Sequence, residues 1–298
     1  MTTQCLIDRR LFQRRLARAA RLGDRQALFL LDHVVEELID RVSMVNRSFE
    51  TAVDISGWLP DLCDRLVARR VATSAYRLAP FIGNGRPTAV IDDEILPLRD
   101  ASADLVVSVL NLQFANDVPG ILAQIRRALR PDGLFLAALI GGQSLQELRA
   151  CLTEAELAET GGASPRVAPL AEVRDLGALL QRAGFALPVT DLDRLTVRYT
   201  GLTGLVRDLR AMAATNALND RDIRVPPRML FPNAAALYAD RYGAADGRIP
   251  VTFDVMWMSG WAPHDSQQKP LRPGTARTRL ADALGTDEIT LTDDSKPK

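Results

Sequence analysis

Acidic residues follow two of the short apolar runs in the first third of the chain. Asp54 closes the first such run, and Asp92 and Asp93 follow the third. If these runs are strands of a parallel sheet, their carboxyl ends meet at one edge, where ligands bind in α/β sheets. Carboxylates there can accept hydrogen bonds from the hydroxyl and amino groups of a ligand. Asp54 alone is a less specific signal, because Asp at a strand end is often a helix N-cap.

The elements that must position these acids alternate between strands and helices. Asp104 to Leu110 and Leu134 to Ile140 are nearly all apolar, and residues 119–129 between them have a helical pattern. Buried strands in the order strand, helix, strand are typical of a parallel sheet covered on both faces. The sequence therefore predicts a doubly wound, mostly parallel α/β fold.

The remaining elements divide the chain into three predicted parts: an N-terminal helical cap (1–45), an α/β domain (46–260) and a C-terminal segment (261–298). Apolar residues become scarce in the last part, which predicts disorder after about residue 275. Ser144 and Glu147 have the spacing of a capping box, which predicts a helix that starts at Ser144. Further strands are predicted at 52–55, 71–75, 88–91, 189–199 and 251–258, and further helices at 7–22, 27–45, 59–70, 170–183, 202–214 and 233–242.

Bulk properties exclude several classes of protein. The 298 residues carry a net charge of zero, so no global field favours nucleic acid or an anionic membrane surface. No apolar run approaches the ~18–20 residues of a membrane span. The three cysteines are far apart, which favours a reducing compartment. The arginine-rich stretch 9–25 is like an organellar presequence, but its flanking Asp8 and Asp24 fit that poorly. We therefore expect a cytoplasmic protein without an integral membrane segment.

The segment from Asp92 to Gly142 resembles the class I S-adenosylmethionine-dependent methyltransferases. The resemblance rests on the acidic loop Asp92-Asp93-Glu94-Ile95-Leu96-Pro97-Leu98, the strand from Asp104 to Ser108, and the second strand closed by Gly141-Gly142. It implies a Rossmann-like sheet of seven strands with S-adenosyl-L-methionine as cofactor. The implied cofactor-binding residues are Asp54, Ser56 and Gly57 after the first strand, Asp92 and Asp93 at the adenine, and Ser108 and Leu110 beside the methyl donor.

Two features of that family are weakened in this chain. The loop after the first strand, Ser56-Gly57-Trp58-Leu59-Pro60, has one glycine where the family usually has two or three. No Asp or Glu occurs between Asp64 and Asp92, where the family carries a ribose-binding acid. A hydrogen bond with a charged partner is worth about 1.5–3 kcal/mol. We therefore expect weaker cofactor binding, even if Ser74 or Tyr76 substitutes for the acid.

The sequence identifies no catalytic residue and no metal site. Gln113-Phe114 stands where the family often has a His-Trp pair, so a general base is missing there. The only histidines are His33, on the polar side of a helix, and His264, in a loop. A lone histidine does not make a metal site.

A narrower resemblance is to the methyltransferase-like assembly factors of respiratory complex I, the NADH:ubiquinone oxidoreductase. It covers residues 7–275 approximately and implies a complex I subunit as partner. Its motifs are Ile7-Asp8-Arg9-Arg10, Asn116-Asp117-Val118-Pro119-Gly120, Gly141-Gly142-Gln143-Ser144-Leu145-Gln146-Glu147-Leu148-Arg149, the segments 161–167 and 182–188, and Gly260-Trp261-Ala262-Pro263-His264-Asp265-Ser266-Gln267-Gln268-Lys269-Pro270.

Three functions follow from that resemblance. The first is a methyltransferase linked to complex I assembly or maturation. The second is a non-catalytic assembly factor with a degraded cofactor site that binds a complex I subunit. The third is a protein-arginine hydroxylase on the same fold, the activity associated with the mitochondrial member of the group. A two-histidine, one-carboxylate iron site would be hard to assemble from two distant histidines.

Overall fold

A computed structural model describes residues 5–57, 61–81, 89–92, 94–268, 282 and 285–286. The chain divides into two compact units, Met1–Pro263 and His264–Lys298. In the second unit, Nδ1 of His264 lies 2.6 Å from the hydroxyl of Ser266. The turn predicted at 83–87, Trp58, Asp93 and most of the stretch after about residue 275 lie outside the described residues.

The first unit contains eight α-helices and seven strands within its described residues, besides two short 3₁₀ turns. The helices are α1 (Arg9–Leu22), α2 (Phe29–Ser43), α3 (Leu62–Ala68), α4 (Val118–Ala128), α5 (Gln146–Thr160), α6 (Val173–Arg182), α7 (Leu202–Ala211) and α8 (Leu230–Tyr242). The strands are β1 (Phe49–Asp54), β2 (Ala72–Ala79), β3 (Ala89–Val90), β4 (Ala103–Val109), β5 (Leu129–Gly141), β6 (Ala186–Tyr199) and β7 (Ile249–Trp261).

One seven-stranded sheet organises this unit. The strand order is β3-β2-β1-β4-β5-β7-β6, with β7 antiparallel to its neighbours and the first five strands parallel. The chain order reverses between β1 and β4, and this switch point is where open α/β sheets bind ligands. The predicted doubly wound, mostly parallel sheet of the class I methyltransferase type is confirmed.

The central strands are apolar on both faces because helices cover both sides. Successive side chains of a strand alternate between faces, so Leu105 and Val107 of β4 pack in one core and Val106 in the other. The helix α2 buries seven apolar residues against the first core. Full burial of such side chains contributes about 1.5–3 kcal/mol each. The helix predicted at 27–45 therefore covers the sheet.

Two local predictions are wrong. β2 continues to Ala79, four residues beyond its predicted end at Ala75. α5 begins at Gln146, and Ser144 does not cap it. The Ser144 hydroxyl instead donates to the carbonyl of Gly141 and accepts from the N–H of Asp254, while Glu147 accepts from Thr252. The two residues with capping-box spacing therefore form tertiary hydrogen bonds to β7 instead of a helix cap.

Candidate cofactor site

Asp54 ends β1 next to the switch point of the sheet. Its side chain is completely buried, and its Oδ1 accepts the backbone N–H of Ser56 at 2.7 Å. Its Oδ2 has no hydrogen-bond partner in the described part of the chain. Burial raises the pKa of Asp54 to about 6, although the hydrogen bonds from Ser56 and the charge of Arg77 act in the opposite direction.

The turn after β1 is fixed to β4 by side-chain hydrogen bonds. Ser56 Oγ accepts the N–H of Val109 at 2.8 Å, and the amide of Asn111 donates to the carbonyl of Ile55 at 3.2 Å. Gly57 follows with φ of +88°, a conformation that other residues rarely adopt. A Cβ there would lie 3.3 Å from Cδ of Pro80. The one glycine retained in this loop therefore stands where a glycine is required.

The second strand carries a buried arginine, Arg77, directly after the segment 73–76, where the family has its ribose-binding acid. Arg77 lies opposite Asp54 in the register of β1 and β2, so the two side chains share a face. Arg77 is 3% exposed, and its Nε has no hydrogen-bond partner among the described residues. Ser74 and Tyr76, the suggested substitutes, lie earlier in the strand opposite Thr51 and Val53. They are not at its carboxyl end.

Sequence reasoning missed Arg77 because β2 was predicted to end too early. The signal was present: an arginine inside the run Tyr76-Arg77-Leu78-Ala79 must be buried if that run is a central strand. Burying an arginine without a partner is costly. The orphaned atoms of Asp54 and Arg77 therefore leave hydrogen-bonding capacity at the switch point that a polar ligand would use.

Ser108 and Leu110 lie at the end of β4. The Ser108 hydroxyl is buried and has no partner in the described part of the chain. The register pairs Asp54 with Val107, so Ser108 faces the opposite side of the sheet from Asp54. Leu110 has φ of +49° and donates its N–H to Ala138. The structure therefore brings Asp54 and Arg77 together but directs Ser108 away from them.

Asp92 is joined to the N-terminal helix. Its Oδ1 accepts from Arg9 Nη2 at 2.8 Å and from the N–H of Glu94 at 3.1 Å, and its side chain is 55% exposed. Arg9 also pairs with Glu94 at 2.6 Å. The acidic loop therefore forms ion pairs with Arg9 of the same chain, a contact that the sequence did not predict. The predicted partner residue Asp93 lies outside the described residues.

Further contacts tie the same N-terminal segment to the loop after β4. The Asn116 side chain bonds both the N–H and the carbonyl of Ile7, at 2.8 and 3.1 Å. Phe12 stacks on Phe114 with ring centroids 4.2 Å apart. These contacts give a physical role to Ile7 and Asn116, which belong to two motifs of the resemblance. They lay the start of α1 across the carboxyl edge of the sheet.

No general base is added by the loop after β4. Gln113 donates to the carbonyl of Leu110, and its Oε1 is buried without a partner in the described part of the chain. Within the described residues, no three His, Cys, Asp or Glu side chains come together as a metal site. Burial raises the pKa of the Cys63 thiol, with the charge of Asp54 adding to it, so this thiol is a poor nucleophile.

The chain is similar in sequence to several known proteins. Residues 51–137 match a family model described as a methyltransferase domain. The chain is 36% identical over 262 residues to the protein named arginine-hydroxylase NDUFAF5, mitochondrial, of Danio rerio, covering 85% of this chain and 81% of that protein. The chain belongs to the NDUFAF5 family. The human NDUFAF5 protein is 35% identical over 83% of this chain and 74% of its own length.

Other relatives of this NDUFAF5 family member carry a different name. A malonyl-[acyl-carrier protein] O-methyltransferase of Xylella fastidiosa is 38% identical over 59% of this chain and 58% of that protein. The crystal structure of the YcgJ protein of Bacillus subtilis has a TM-score of 0.53 at 12% identity and covers 78% of this chain and 99% of that one. This similarity concerns the fold alone. The resemblance to class I methyltransferases and to complex I assembly factors is confirmed.

Proposed function

We propose that this NDUFAF5 family member binds S-adenosyl-L-methionine and acts as a methyltransferase on a subunit of respiratory complex I during its assembly. The observation that carries the proposal is the buried, incompletely bonded pair of Asp54 and Arg77 beside Gly57 at the switch point. A ligand with hydroxyl, amino and carboxylate groups fits such a pair, because it supplies both donors and acceptors.

The proposed cofactor-binding residues have different roles. Asp54 accepts hydrogen bonds from the cofactor, Ser56 holds the turn, and Gly57 allows the backbone to approach the ligand. Asp92 accepts from the adenine amino group with the backbone of Asp93 beside it, and the end of β4 at Ser108 and Leu110 lies beside the methyl donor. When bound, the cofactor supplies an electrophilic methyl group. The chain's own contribution is to position donor and acceptor.

The residues around Gln113 favour a particular kind of acceptor. Because this loop offers no base, the arrangement favours an acceptor that is already a nucleophile at neutral pH, as a carboxylate is. A guanidinium group is fully protonated at that pH and is a poor methyl acceptor without a base. Methyl transfer to arginine is therefore the less favoured form of the proposal.

Arginine hydroxylation is the second candidate, because several relatives are named arginine-hydroxylases. The described residues do not provide an iron ligand set of their own. A non-catalytic assembly factor is the third candidate.

The word mitochondrial in the relatives' names describes those proteins, and a cytoplasmic location for this chain stays a prediction. No helix in the described part of the chain is long and apolar enough to span a membrane.

Calorimetric titration of the purified chain with S-adenosylmethionine and with S-adenosylhomocysteine tests the proposal. We expect micromolar binding of both, and a loss of affinity in the Asp92→Ala variant. Absence of heat up to millimolar ligand would contradict the proposal and favour a non-catalytic assembly factor. Mass spectrometry of complex I subunits incubated with the chain then separates the two reactions, because a methyl group and an oxygen atom differ in mass.

A further inference from the structure

A cavity of about 1520 Å³ opens beside the carboxyl ends of β4 and β5. Its walls come from α1, α2, α5, α7 and α8 and from the loops between them, and its lining includes Leu110, Gln113 and Phe114 from the loop after β4. Sites for small ligands usually enclose about 300–1,000 Å³. This cavity is larger than that, so its size favours a segment of polypeptide as the occupant.

The charge lining the cavity is almost entirely positive. Its described lining residues include one acid, Asp24, and five arginines: Arg15, Arg18, Arg166, Arg207 and Arg210. Some of these arginines serve the fold. Arg15 donates to the carbonyls of Thr215 and Asn216, and Arg166 pairs with the buried Glu156.

Two of the arginines are available to a ligand. Arg18 on α1 and Arg210 on α7 are exposed and have no ion-pair or hydrogen-bond partner in the described part of the chain. Both line the cavity. An arginine without a carboxylate of its own protein attracts acidic groups of a partner, most strongly at low salt.

The floor and edge of the cavity are apolar. Leu148, Leu209 and Phe253 on the floor are buried, whereas Leu22 and Phe231 are 66% and 40% exposed. An apolar surface bounded by charge is typical of an interaction site. The cavity forms a groove between helices. Such a groove suits an amphipathic helix whose apolar face contacts the floor and whose acidic side contacts the arginines.

We propose that this groove docks an acidic amphipathic helical segment of a protein partner, the acceptor protein of the proposed function, on which this inference rests. Leucine-like side chains of the segment contact the floor, and its carboxylates pair with Arg18 and Arg210. The cavity is also lined by Leu110, which is a proposed cofactor residue. A docked segment can therefore reach the methyl donor.

Fluorescence anisotropy with two labelled synthetic peptides tests the docking. One is a helix of about 15 residues with Leu at helical spacing and Glu elsewhere, long enough to fold on binding, and the other has Lys in place of Glu. The wild type should bind the Glu peptide and not the Lys peptide. The double variant Arg18→Glu/Arg210→Glu should bind the Glu peptide at least about tenfold more weakly, and Phe231→Ser should also weaken it.

The matched control is Arg174→Glu/Arg182→Glu, which makes the same change of charge on α6, away from the cavity. It should bind the peptide like the wild type. Equal binding of the Glu peptide by both double variants, or binding of neither peptide by the wild type, would overturn the proposal. Dimerisation of the chain through this face would also overturn it. Binding of dodecyl phosphate, an anionic amphiphile, in the cavity without binding of the peptide would do the same.

Calorimetry with S-adenosylmethionine on the same proteins separates this inference from the proposed function. The Arg18→Glu/Arg210→Glu variant should keep the cofactor affinity of the wild type, because neither arginine lies at the switch point. If the wild type binds the peptide but not the cofactor, docking stands and the methyltransferase proposal fails. If it binds the cofactor but not the peptide, docking fails alone.

Discussion

Two buried aspartates of the same sheet differ in how completely their carboxylates are bonded. Asp254 on β7 accepts from Arg194 at 2.7 and 2.9 Å and from the N–H of Gln143 at 2.8 Å. Asp54 on β1 accepts the N–H of Ser56, and its second oxygen has no partner in the described part of the chain. One carboxylate is satisfied by the protein, and the other is not.

The pKa values of the two carboxyls reflect this difference. Burial raises the pKa of both, but at Asp254 the hydrogen bonds from Arg194 and Gln143 outweigh it and hold the pKa below its ordinary range. At Asp54 burial dominates and raises the pKa to about 6. A buried carboxylate that the fold leaves incompletely bonded is a candidate for binding, whereas a satisfied one is structural.

The largest expected effect is that of Asp54→Asn, which keeps the acceptor for Ser56 and removes the charge. The difference between a pKa of about 6 and the ordinary 3.8 corresponds to about 3 kcal/mol. At about pH 8 the variant should therefore be more stable than the wild type by up to that amount. Its affinity for S-adenosylmethionine should fall by about tenfold or more, because a charged hydrogen-bond acceptor is lost. Urea unfolding and calorimetry measure the two effects.

The pH dependence sharpens this test. Because the folded protein holds the Asp54 proton more tightly than the unfolded chain, stability falls as pH rises from about 4 to about 6 and then levels off. Cofactor affinity should rise around pH 6, where Asp54 ionises in the folded protein. The Asp54→Asn variant should show neither of these changes. A wild-type affinity that is flat from about pH 5 to pH 8 would contradict the role given to Asp54.

The matching change on β7 should have the opposite sign. Asp254→Asn removes the charge that Arg194 and Gln143 bond, so the free energy of unfolding should fall by about 2 kcal/mol near neutral pH. This contribution to stability is present above the ordinary pKa of the carboxyl and is lost as pH falls through its lowered folded value. Cofactor affinity should be unchanged. A loss of affinity equal to that of Asp54→Asn would remove the distinction between the two aspartates.

Much of the sheet could be predicted because its central strands carry an unambiguous signal. The run from Asp104 to Leu110 is apolar on both faces, and α2 has apolar residues at helical spacing, so both lie within a few residues of their predicted bounds. β2 could not be bounded in the same way. Arg77 interrupts its apolar pattern, and a charged residue normally marks the end of a buried strand.

The positions of single residues such as Asp54 and Gly57 could be predicted from the sequence, but the side chains that contact the candidate site could not. Asp54 and Gly57 could be placed because they follow a recognisable strand. The pairing of Arg9 with Asp92 joins residues far apart in the chain, and no local pattern specifies such a contact. The same holds for Ser144, whose spacing to Glu147 predicted a helix cap although both side chains bond β7. Hydrogen bonds between distant elements are fixed by topology rather than by spacing.

The smallest expected effect compares two buried serines that repeat the contrast between the aspartates. Ser144 both donates and accepts hydrogen bonds at 2.7 Å, so Ser144→Ala should lower the free energy of unfolding by about 1 kcal/mol or more. Ser108 has no partner in the described part of the chain, so Ser108→Ala should change stability by less than about 0.5 kcal/mol or raise it. Parallel urea titrations of the two variants measure the difference. Equal destabilisation would show that Ser108 is satisfied within the protein, and its hydroxyl would then be unavailable to a cofactor.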